Sequence, residues 1–373
     1  MQPLPKRPNP TTNEILRSSV ATAGNMLSRV CRTAYGKTLD YDTGALTKRD
    51  VAILRFFAAI ELIESDIWQQ YDELGGVTKG PQNPYQLALQ FLGSDGSNYL
   101  TSNTLDEISH STYLNAYLES EGVDPVDFDR FRSLRGSWSA IAQNIGRLTN
   151  LKHLDIDTTW YSRYLQVEDS GFKCSSLKTV RIVNRPAIPC TDADFESPSH
   201  VQTIANTAAF HFGFIEYLVS SLYATFSHKL KRAKVLKVAL GIGGNEIAHF
   251  LAWANFANNA IQWAPFQSEN VPPAMEGDDS LSPPRVSVGA SFDRPALNFP
   301  IPPDVTSEFL ADCAALLPID KRFGGAVNIV NDFSQNGLFV GQSPEFLWVL
   351  LQMAEEADDA LGKLTETKSD KPQ

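Results

Sequence analysis

Two copies of the pattern Glu-x-x-His, far apart in the chain, constrain its fold more than any other feature. They are Glu107/His110 in LDEISHSTYL and Glu246/His249 in NEIAHFLAW. Both stretches have apolar residues at helical spacing, and residues three apart lie on one face of a helix. Each pattern therefore directs a carboxylate and an imidazole toward one point, which is the geometry of a dinuclear metal site in the core of a helical bundle.

A site of this kind needs one more Glu from each of two further helices, and two other apolar stretches supply them. RDVAILRFFAAIELIESDIWQQYDEL carries Glu61 and Glu64, and FHFGFIEYLVSSLYATFSH carries Glu216 as its only carboxylate. A carboxylate in so apolar a helix is costly to bury unless it is paired, hydrogen-bonded or bound to a cation. The order Glu, Glu-x-x-His, Glu, Glu-x-x-His predicts two helix pairs with similar ligand sets.

The spacing of these acids favours two helical hairpins. Glu216 and Glu246 have their midpoint at Lys231, in the polar stretch HKLKRAK. Glu61 and Glu107 have their midpoint at Pro84, within KGPQNPY. Pro and Gly residues of this kind interrupt a helix. Each hairpin is therefore expected to turn at its midpoint and to bring its two acids level.

With these features the chain resembles the ferritin-like proteins, and among them the fungal stress-response and late-sexual-development proteins and the plant desiccation-related proteins. The resemblance covers about residues 45–265. It is carried by IELIESDIW, by the two Glu-x-x-His helices, by the hairpin from Phe210 to Phe256 and by the insert LTNLKHLDIDTTWYSRY. It implies a mainly α fold, a ferritin-like four-helix bundle with a long insertion between its two hairpins.

The resemblance also implies a set of metal ligands and a candidate catalytic residue. Glu64 lies one turn beyond Glu61 on the same helix face, so it can replace Glu61, bridge as a second carboxylate or support the ligands. Helices of this family often carry an aromatic residue seven positions after the ligand Glu, where this chain has Trp68 and Tyr223. Trp stands in place of the usual Tyr on one side, which leaves Tyr223 as the candidate phenol. The six ligands carried over are Glu61, Glu107, His110, Glu216, Glu246 and His249.

For function, the resemblance implies a non-haem di-metal carboxylate protein that holds two Fe ions, or Mn and Fe. Such a protein is a candidate oxidoreductase, an O2- or peroxide-dependent oxidase or oxygenase of a small organic substrate. Mixed carboxylate and imidazole ligation suits these metals. In this interpretation Glu107 and Glu246 bridge both ions, and the remaining ligands complete one ion each. The alternative is a non-catalytic ferritin-like stress or developmental scaffold without bound metal.

The composition of the chain argues against two classes of binding partner, nucleic acids and membranes. A formal net charge of −11 provides no broad basic field for phosphate backbones, which argues against nucleic acid. No run of about 18 uncharged apolar residues occurs, so the sequence predicts no membrane span. The start, MQPLPKRPNPTTNEIL, lacks the continuous apolar stretch of a secretory signal, which predicts a cytoplasmic protein. Nothing in the sequence indicates an oligomeric state.

Outside the helices that carry the candidate ligands, the sequence predicts shorter helices and strands. The insertion, residues 122–205, is expected to hold a helix near Asp127 to Leu148 and two short strands in LKHLDIDTTWY and SSLKTVRIVN. TSEFLADCAAL and PEFLWVLLQMAEEADDAL predict two closing helices capped by Ser307 and Ser343. The predicted segments are an N-terminal arm (1–45) with a short helix near Ile15 to Tyr35, the bundle with its insertion (46–265), a Pro-rich wrapping segment (266–304), C-terminal helices (305–362) and a disordered tail (363–373).

Overall fold

The structure, a computed structural model, describes residues 45–158, 160–161, 182–262 and 325–361. The predicted arm with its short helix, the Pro-rich segment, the first closing helix with its cap at Ser307 and the tail lie outside these residues. Helices make up most of the described chain, so the mainly α prediction is confirmed. The helices are α1 Lys48–Gly75, α2 Pro84–Leu92, α3 Gly96–Ser120, α4 Pro198–Ser227, α5 Ala233–Gln262, α6 Ala326–Gln335 and α7 Pro344–Leu361.

Helix α1 is the central element of the first helix pair. It begins after Thr47, whose hydroxyl accepts a hydrogen bond from the Asp50 backbone N–H at 3.1 Å while the Asp50 carboxylate accepts from Thr47. This reciprocal capping satisfies donors that the first turn leaves unpaired. Helix α1 packs along α3, and the Ser65 hydroxyl donates to the backbone carbonyl of Glu107 at 2.9 Å. The two helices are thereby aligned at the level of their acidic residues.

The connection between α1 and α3 is not the simple turn that the midpoint at Pro84 predicts. Pro84 is the first residue of α2, where a missing N–H costs nothing. The Asn83 side chain caps this helix by accepting from the Gln86 backbone N–H at 2.9 Å. Helix α2 packs chiefly against α4. The first helix pair therefore forms as expected, but its link is a short helix that contacts the second pair.

The second helix pair, α4 and α5, agrees with the prediction. Helix α4 begins after the N-cap Ser197, with Pro198 in its first turn. The polar turn that contains Lys231 separates it from α5, as the midpoint predicted. The Lys231 backbone N–H donates to the Asp50 carboxylate at 2.7 Å. This hydrogen bond ties the turn of the second pair to the first turn of α1.

The prediction of a helix near Asp127 to Leu148 is wrong. The segment instead forms a short 3-10 turn, Asp129–Phe131, and an antiparallel pair of two-residue strands, β1 Leu134–Arg135 and β2 Gly146–Arg147. A Cβ at Gly146 would lie 1.9 Å from the Arg132 carbonyl oxygen, so the backbones approach closely here. Backbone N–H groups that a helix would use internally are instead bound by the Asp66 carboxylate of α1.

The two predicted strands further along the insertion are present in shortened form. They are β3 Leu154–Ile156 and β4 Ile182–Arg185, which pair antiparallel with Ile156 opposite Ile182. Leu154 and Ile156 are buried while Asp155 between them is exposed, as the alternation predicted. Helix α4 already begins at Pro198, inside the range assigned to the insertion.

The closing helix α7 is confirmed, and the Ser343 hydroxyl caps it by accepting from the Phe346 backbone N–H at 3.2 Å. Helix α7 packs along α1. Helix α6 was not predicted. The Asp358 carboxylate of α7 accepts from the backbone N–H groups of Ala326 and Val327 at 2.7 and 3.0 Å. A side chain distant in sequence therefore supplies the N-terminal cap of α6.

Residues Ala233–Ala260 of α5 are long and apolar enough to cross a membrane by length and composition, with a mean hydropathy of 1.2. The core helix of a bundle passes the same test. Glu246, Phe250 and Trp253 are fully buried within the protein. Burial within the protein covers 39% of an 18-residue apolar stretch of this helix, and Leu240 on the same helix is exposed.

Candidate metal centre

Seven acidic and histidine side chains from four helices converge in the core between the two helix pairs. The five carboxylates are fully buried, and the two imidazoles are 7% and 3% exposed. Helix α1 supplies two carboxylates, α4 supplies one, and α3 and α5 supply one carboxylate and one imidazole each. The residues are Glu61, Glu64, Glu107, His110, Glu216, Glu246 and His249.

Four of these side chains form a group that we name the first half-site: Glu61, Glu107, His110 and Glu246. One ligand atom from each lies within 4.8 Å of the others. The His110 Nδ1 is the centre of this group, at 3.3 Å from Glu61 Oε2, 3.2 Å from Glu107 Oε2 and 3.0 Å from Glu246 Oε1. Three helices therefore direct four metal-binding atoms toward one small volume.

The second half-site consists of Glu107, Glu216, Glu246 and His249, and its ligand atoms also lie within 4.8 Å of one another. The His249 Nδ1 lies 3.0 Å from Glu107 Oε1 and 3.6 Å from Glu216 Oε2. Glu107 directs one oxygen to each half-site, and Glu246 belongs to both groups. The two half-sites are therefore adjacent and share two carboxylates.

The two histidines have the same orientation. Each histidine directs Nδ1 toward the buried glutamates of the cluster and Nε2 away from those glutamates. Burial alone would lower their pKa values, but the surrounding carboxylates, Glu61 for His110 and Glu216 for His249, hold both pKa values well above the usual range. This direction shows how strongly the cluster attracts positive charge.

Glu64 lies among the same carboxylates but belongs to neither half-site. Burial, and then the neighbouring carboxylates with Glu246 the strongest, raise the pKa of Glu64 well above its usual range. Neither of its side-chain oxygens has a hydrogen bond within the described chain. Of the two acids that the sequence left open on α1, Glu61 is therefore the one positioned among the other ligand atoms.

Tyr223, the candidate phenol, directly contacts the cluster. Its hydroxyl donates a hydrogen bond to Glu61 Oε1, and burial together with Glu61 raises its pKa well above the usual range. Trp68, at the equivalent offset on α1, makes no such contact in the described residues, since its Nε1 has no hydrogen-bond partner there. It stacks on Trp253 with ring centroids 5.4 Å apart. The two aromatic positions are thus chemically unequal.

Sequence reasoning missed Asn103, which lies one turn before Glu107 on α3. Its amide donates to Glu107 Oε1 at 2.9 Å and to Glu216 Oε1 at 3.2 Å. Trp253 Nε1 donates in turn to Asn103 Oδ1 at 2.7 Å. These hydrogen bonds connect α3, α4 and α5 and fix the orientation of two carboxylates. No pattern in the sequence distinguishes Asn103 from any other helical asparagine.

Two further residues escaped detection although the sequence carries a signal for them. Asp106 and Asn245 each directly precede the Glu of a Glu-x-x-His pattern, in DEISH and NEIAH. The Nε2 of His249 lies 3.2 Å from Asp106 Oδ2 and 3.1 Å from Asn245 Nδ2. The Asn245 amide also lies 3.5 Å from His110 Nε2. The repeated polar residue before each Glu indicated a second layer of contacts behind the histidines.

The chemistry of the donor set fits bound cations. Among the ion pairs of the described residues, four of the five buried acids pair only with histidine, and two imidazolium ions cannot neutralise four carboxylates; these acids are Glu61, Glu107, Glu216 and Glu246. Several side-chain oxygens of the five buried acids make no hydrogen bond in the described chain; these are Glu61 Oε2, Glu216 Oε2 and both oxygens of Glu64 and Glu246. Uncompensated buried carboxylates are costly. Divalent cations would satisfy these atoms and this charge.

No family model, curated protein or solved structure matches this chain. The function of this protein is therefore inferred from the geometry and chemistry of the cluster itself.

Proposed function

We propose that this protein is a ferritin-like, non-haem carboxylate protein that binds two metal ions, iron or manganese and iron, and reacts with O2 or peroxide. One observation carries the proposal: two buried four-ligand groups, each with one histidine, share Glu107 and Glu246. Two carboxylates common to both groups favour a dinuclear centre over two independent ions. The mixture of carboxylate and imidazole donors suits iron and manganese.

When bound, the ions supply the redox chemistry, and the protein's residues hold and orient them. Glu107 and Glu246, which belong to both half-sites, would bind both ions. The histidine Nδ1 atoms provide one neutral donor to each half-site, with Nε2 left to carry the ring proton. Two glutamates, Glu61 and Glu216, complete one half-site each.

Hydrogen bonds keep the ligands in place. The Tyr223 hydroxyl orients Glu61, and the Asn103 amide orients Glu107 and Glu216. Burial and the four neighbouring acids raise the pKa of Glu64, which favours the protonated form of its carboxyl group. We assign Glu64 a supporting role beside the ligands.

The surroundings of the cluster exclude bulk water. The rings of Phe57 and Tyr223 pack at a tilt of 38° with centroids 4.3 Å apart. Trp68, Phe212 and Trp253 also pack together, and all five side chains are fully buried. A dry, preorganised site strengthens electrostatic interactions and protects reactive species from solvent. This environment is consistent with oxidation of a small organic substrate. The surface cavity around Gln82, Gln86 and Asn98 is lined by none of the seven cluster residues.

Native mass spectrometry of the purified full chain, with and without anaerobic Fe²⁺ or Mn²⁺ loading, tests the proposal. Two ions per chain are expected, and both should be lost from Glu107→Gln, which removes a ligand of each half-site. Glu119→Gln is the matched control, because Glu119 is an exposed acid on the same helix. A loaded wild type that binds no stoichiometric metal would favour the alternative function, a metal-free stress or developmental scaffold.

A further inference from the structure

The two half-sites contain matching ligands but differ in the residues behind their histidines. Each has one glutamate and one histidine of its own and shares the same two carboxylates. The His249 Nε2 faces the carboxylate of Asp106 at 3.2 Å. In the described part of the chain, the neighbour of His110 Nε2 is the Asn245 amide at 3.5 Å, which is neutral whichever way it is turned. The same amide also lies 3.1 Å from His249 Nε2. The asymmetry is therefore the one formal negative charge of Asp106 behind His249.

A carboxylate behind a ligating histidine changes the histidine as a ligand. When Nδ1 binds a metal, Nε2 carries the ring proton and donates it to an acceptor, which fixes the ring and makes it more basic. Asp106 is a full acceptor for His249 at this position, with a geometry already formed. The amide near His110 is a weaker partner at a longer distance. Asp106 also adds negative charge close to the second half-site, although its 42% exposure screens that effect.

We propose that the two half-sites bind cations with unequal affinity, and that Asp106 is a positioning residue that makes the second half-site, with Glu216 and His249, take up the first ion. This inference rests on the proposed dinuclear function. It concerns the order of filling, which the ligand set alone leaves undetermined. Stepwise loading would allow the centre to hold two different ions, such as manganese and iron, in defined positions.

Anaerobic titration of the metal-free full chain with Mn²⁺, in which the EPR signal of the free ion reports binding, measures both affinities. The wild type is expected to bind two ions in steps that differ by at least about tenfold. Glu216→Gln should remove the tighter step, and Glu61→Gln should remove the weaker one.

Asp106→Asn should weaken the tighter step by about 10- to 100-fold and leave the weaker step nearly unchanged. Glu119→Gln removes the same formal charge from α3 without contacting a histidine in the described residues, so both steps should be preserved. Asp106→Glu is expected to restore part of the lost affinity. The metal-free thermal midpoint should not change, because the Asp106 side chain is substantially exposed.

The results that would refute the unequal half-sites differ from those that would refute the proposed dinuclear function. Two ions bound with equal affinity, or an Asp106→Asn effect no larger than that of Glu119→Gln, would refute the unequal half-sites while leaving a dinuclear centre intact. Loss of the weaker step in Asp106→Asn would also refute the assigned order. Failure of the wild type to bind Mn²⁺ stoichiometrically would refute both proposals.

Discussion

Glu61 and Glu64 lie one helical turn apart on α1 and are both fully buried, yet only Glu61 shares a four-ligand group with His110. Glu61 accepts a hydrogen bond from Tyr223. Glu64 has no hydrogen bond in the described chain, and its pKa is raised by burial and by the acids around it. The two acids are therefore expected to differ in what they bind, a cation in one case and a proton in the other.

This difference predicts opposite outcomes for two matched substitutions. Glu61→Gln should reduce the content of bound metal from two ions to one, because the first half-site loses a ligand of its own. Glu64→Gln should retain both ions, since a neutral amide replaces a neutral acid of similar shape. Metal analysis of the two purified variants beside the wild type makes the measurement. Retention of both ions in Glu61→Gln with loss in Glu64→Gln would reverse the assignment.

Two neighbouring glycines of α5 give a second matched pair. A Cβ at Gly243 would lie 2.7 Å from the Cβ of Tyr223, whereas a Cβ at Gly244 would meet nothing within 4 Å. Gly243→Ala should therefore destabilise the protein by about 1–3 kcal/mol through overpacking. Gly244→Ala should stabilise it by about 0.5–1 kcal/mol, because alanine favours the helix. Urea unfolding measures both changes, and equal effects would show that Gly243 is not a close-packing position.

Asp66 attaches the insertion to α1. This buried carboxylate accepts from the Leu148 and Thr149 backbone N–H groups at 2.9 Å each and pairs with Arg132 at 2.8 Å. Asp66→Asn should lower the free energy of unfolding by on the order of 3 kcal/mol, because an amide cannot satisfy this many donors. The exposed Asp124→Asn in the same insertion is the control. Equal stability of the two variants would contradict this role of Asp66.

The buried side chain of His211 is expected to contribute to the pH dependence of the free energy of unfolding. It is fully buried, its Nδ1 lies 2.7 Å from the Tyr71 hydroxyl, and burial lowers its pKa to about 3. In the unfolded chain the same group binds a proton near pH 6.5. The unfolded state therefore takes up a proton as the pH falls below about 6.5, and the folded protein loses stability by up to about 1.4 kcal/mol per pH unit.

His211→Asn removes this component while keeping an acceptor for Tyr71. Compared in the same metal state, the wild type should lose more unfolding free energy than the variant between pH 6.5 and 4.5. Titrations of the carboxylates are common to both proteins and cancel in the difference. Parallel stability curves over this range would show that His211 takes up protons equally in the folded and unfolded states.

The sequence predicted the helix pairs and the convergence of the cluster because periodic apolar residues and Glu-x-x-His act locally along a helix. It could not choose between Glu61 and Glu64, since both lie on one helix face and only the packed structure shows which of them shares a ligand group with His110. The position of Asp106 directly before Glu107 was a signal in the sequence, but its contact with His249 on another helix required the packed structure.

The elements that sequence reasoning missed depend on distant side chains. The segment near Leu148 satisfies its backbone N–H groups with Asp66 instead of forming a helix. Helix α6 receives its cap from Asp358, which lies on α7. Tertiary hydrogen bonds of this kind can prevent a helix that local preference favours, and they can stabilise a helix that local preference does not predict. The resemblance to ferritin-like proteins stays a prediction about this chain.

Anomalous X-ray scattering from crystals of the metal-loaded protein locates the bound ions. We expect two peaks about 3.5–4 Å apart, one beside Glu61 and His110 and the other beside Glu216 and His249. Glu107 should contact both ions. Crystals of loaded protein with no anomalous peak between α1, α3, α4 and α5, or with metal bound only at the surface, would contradict the account.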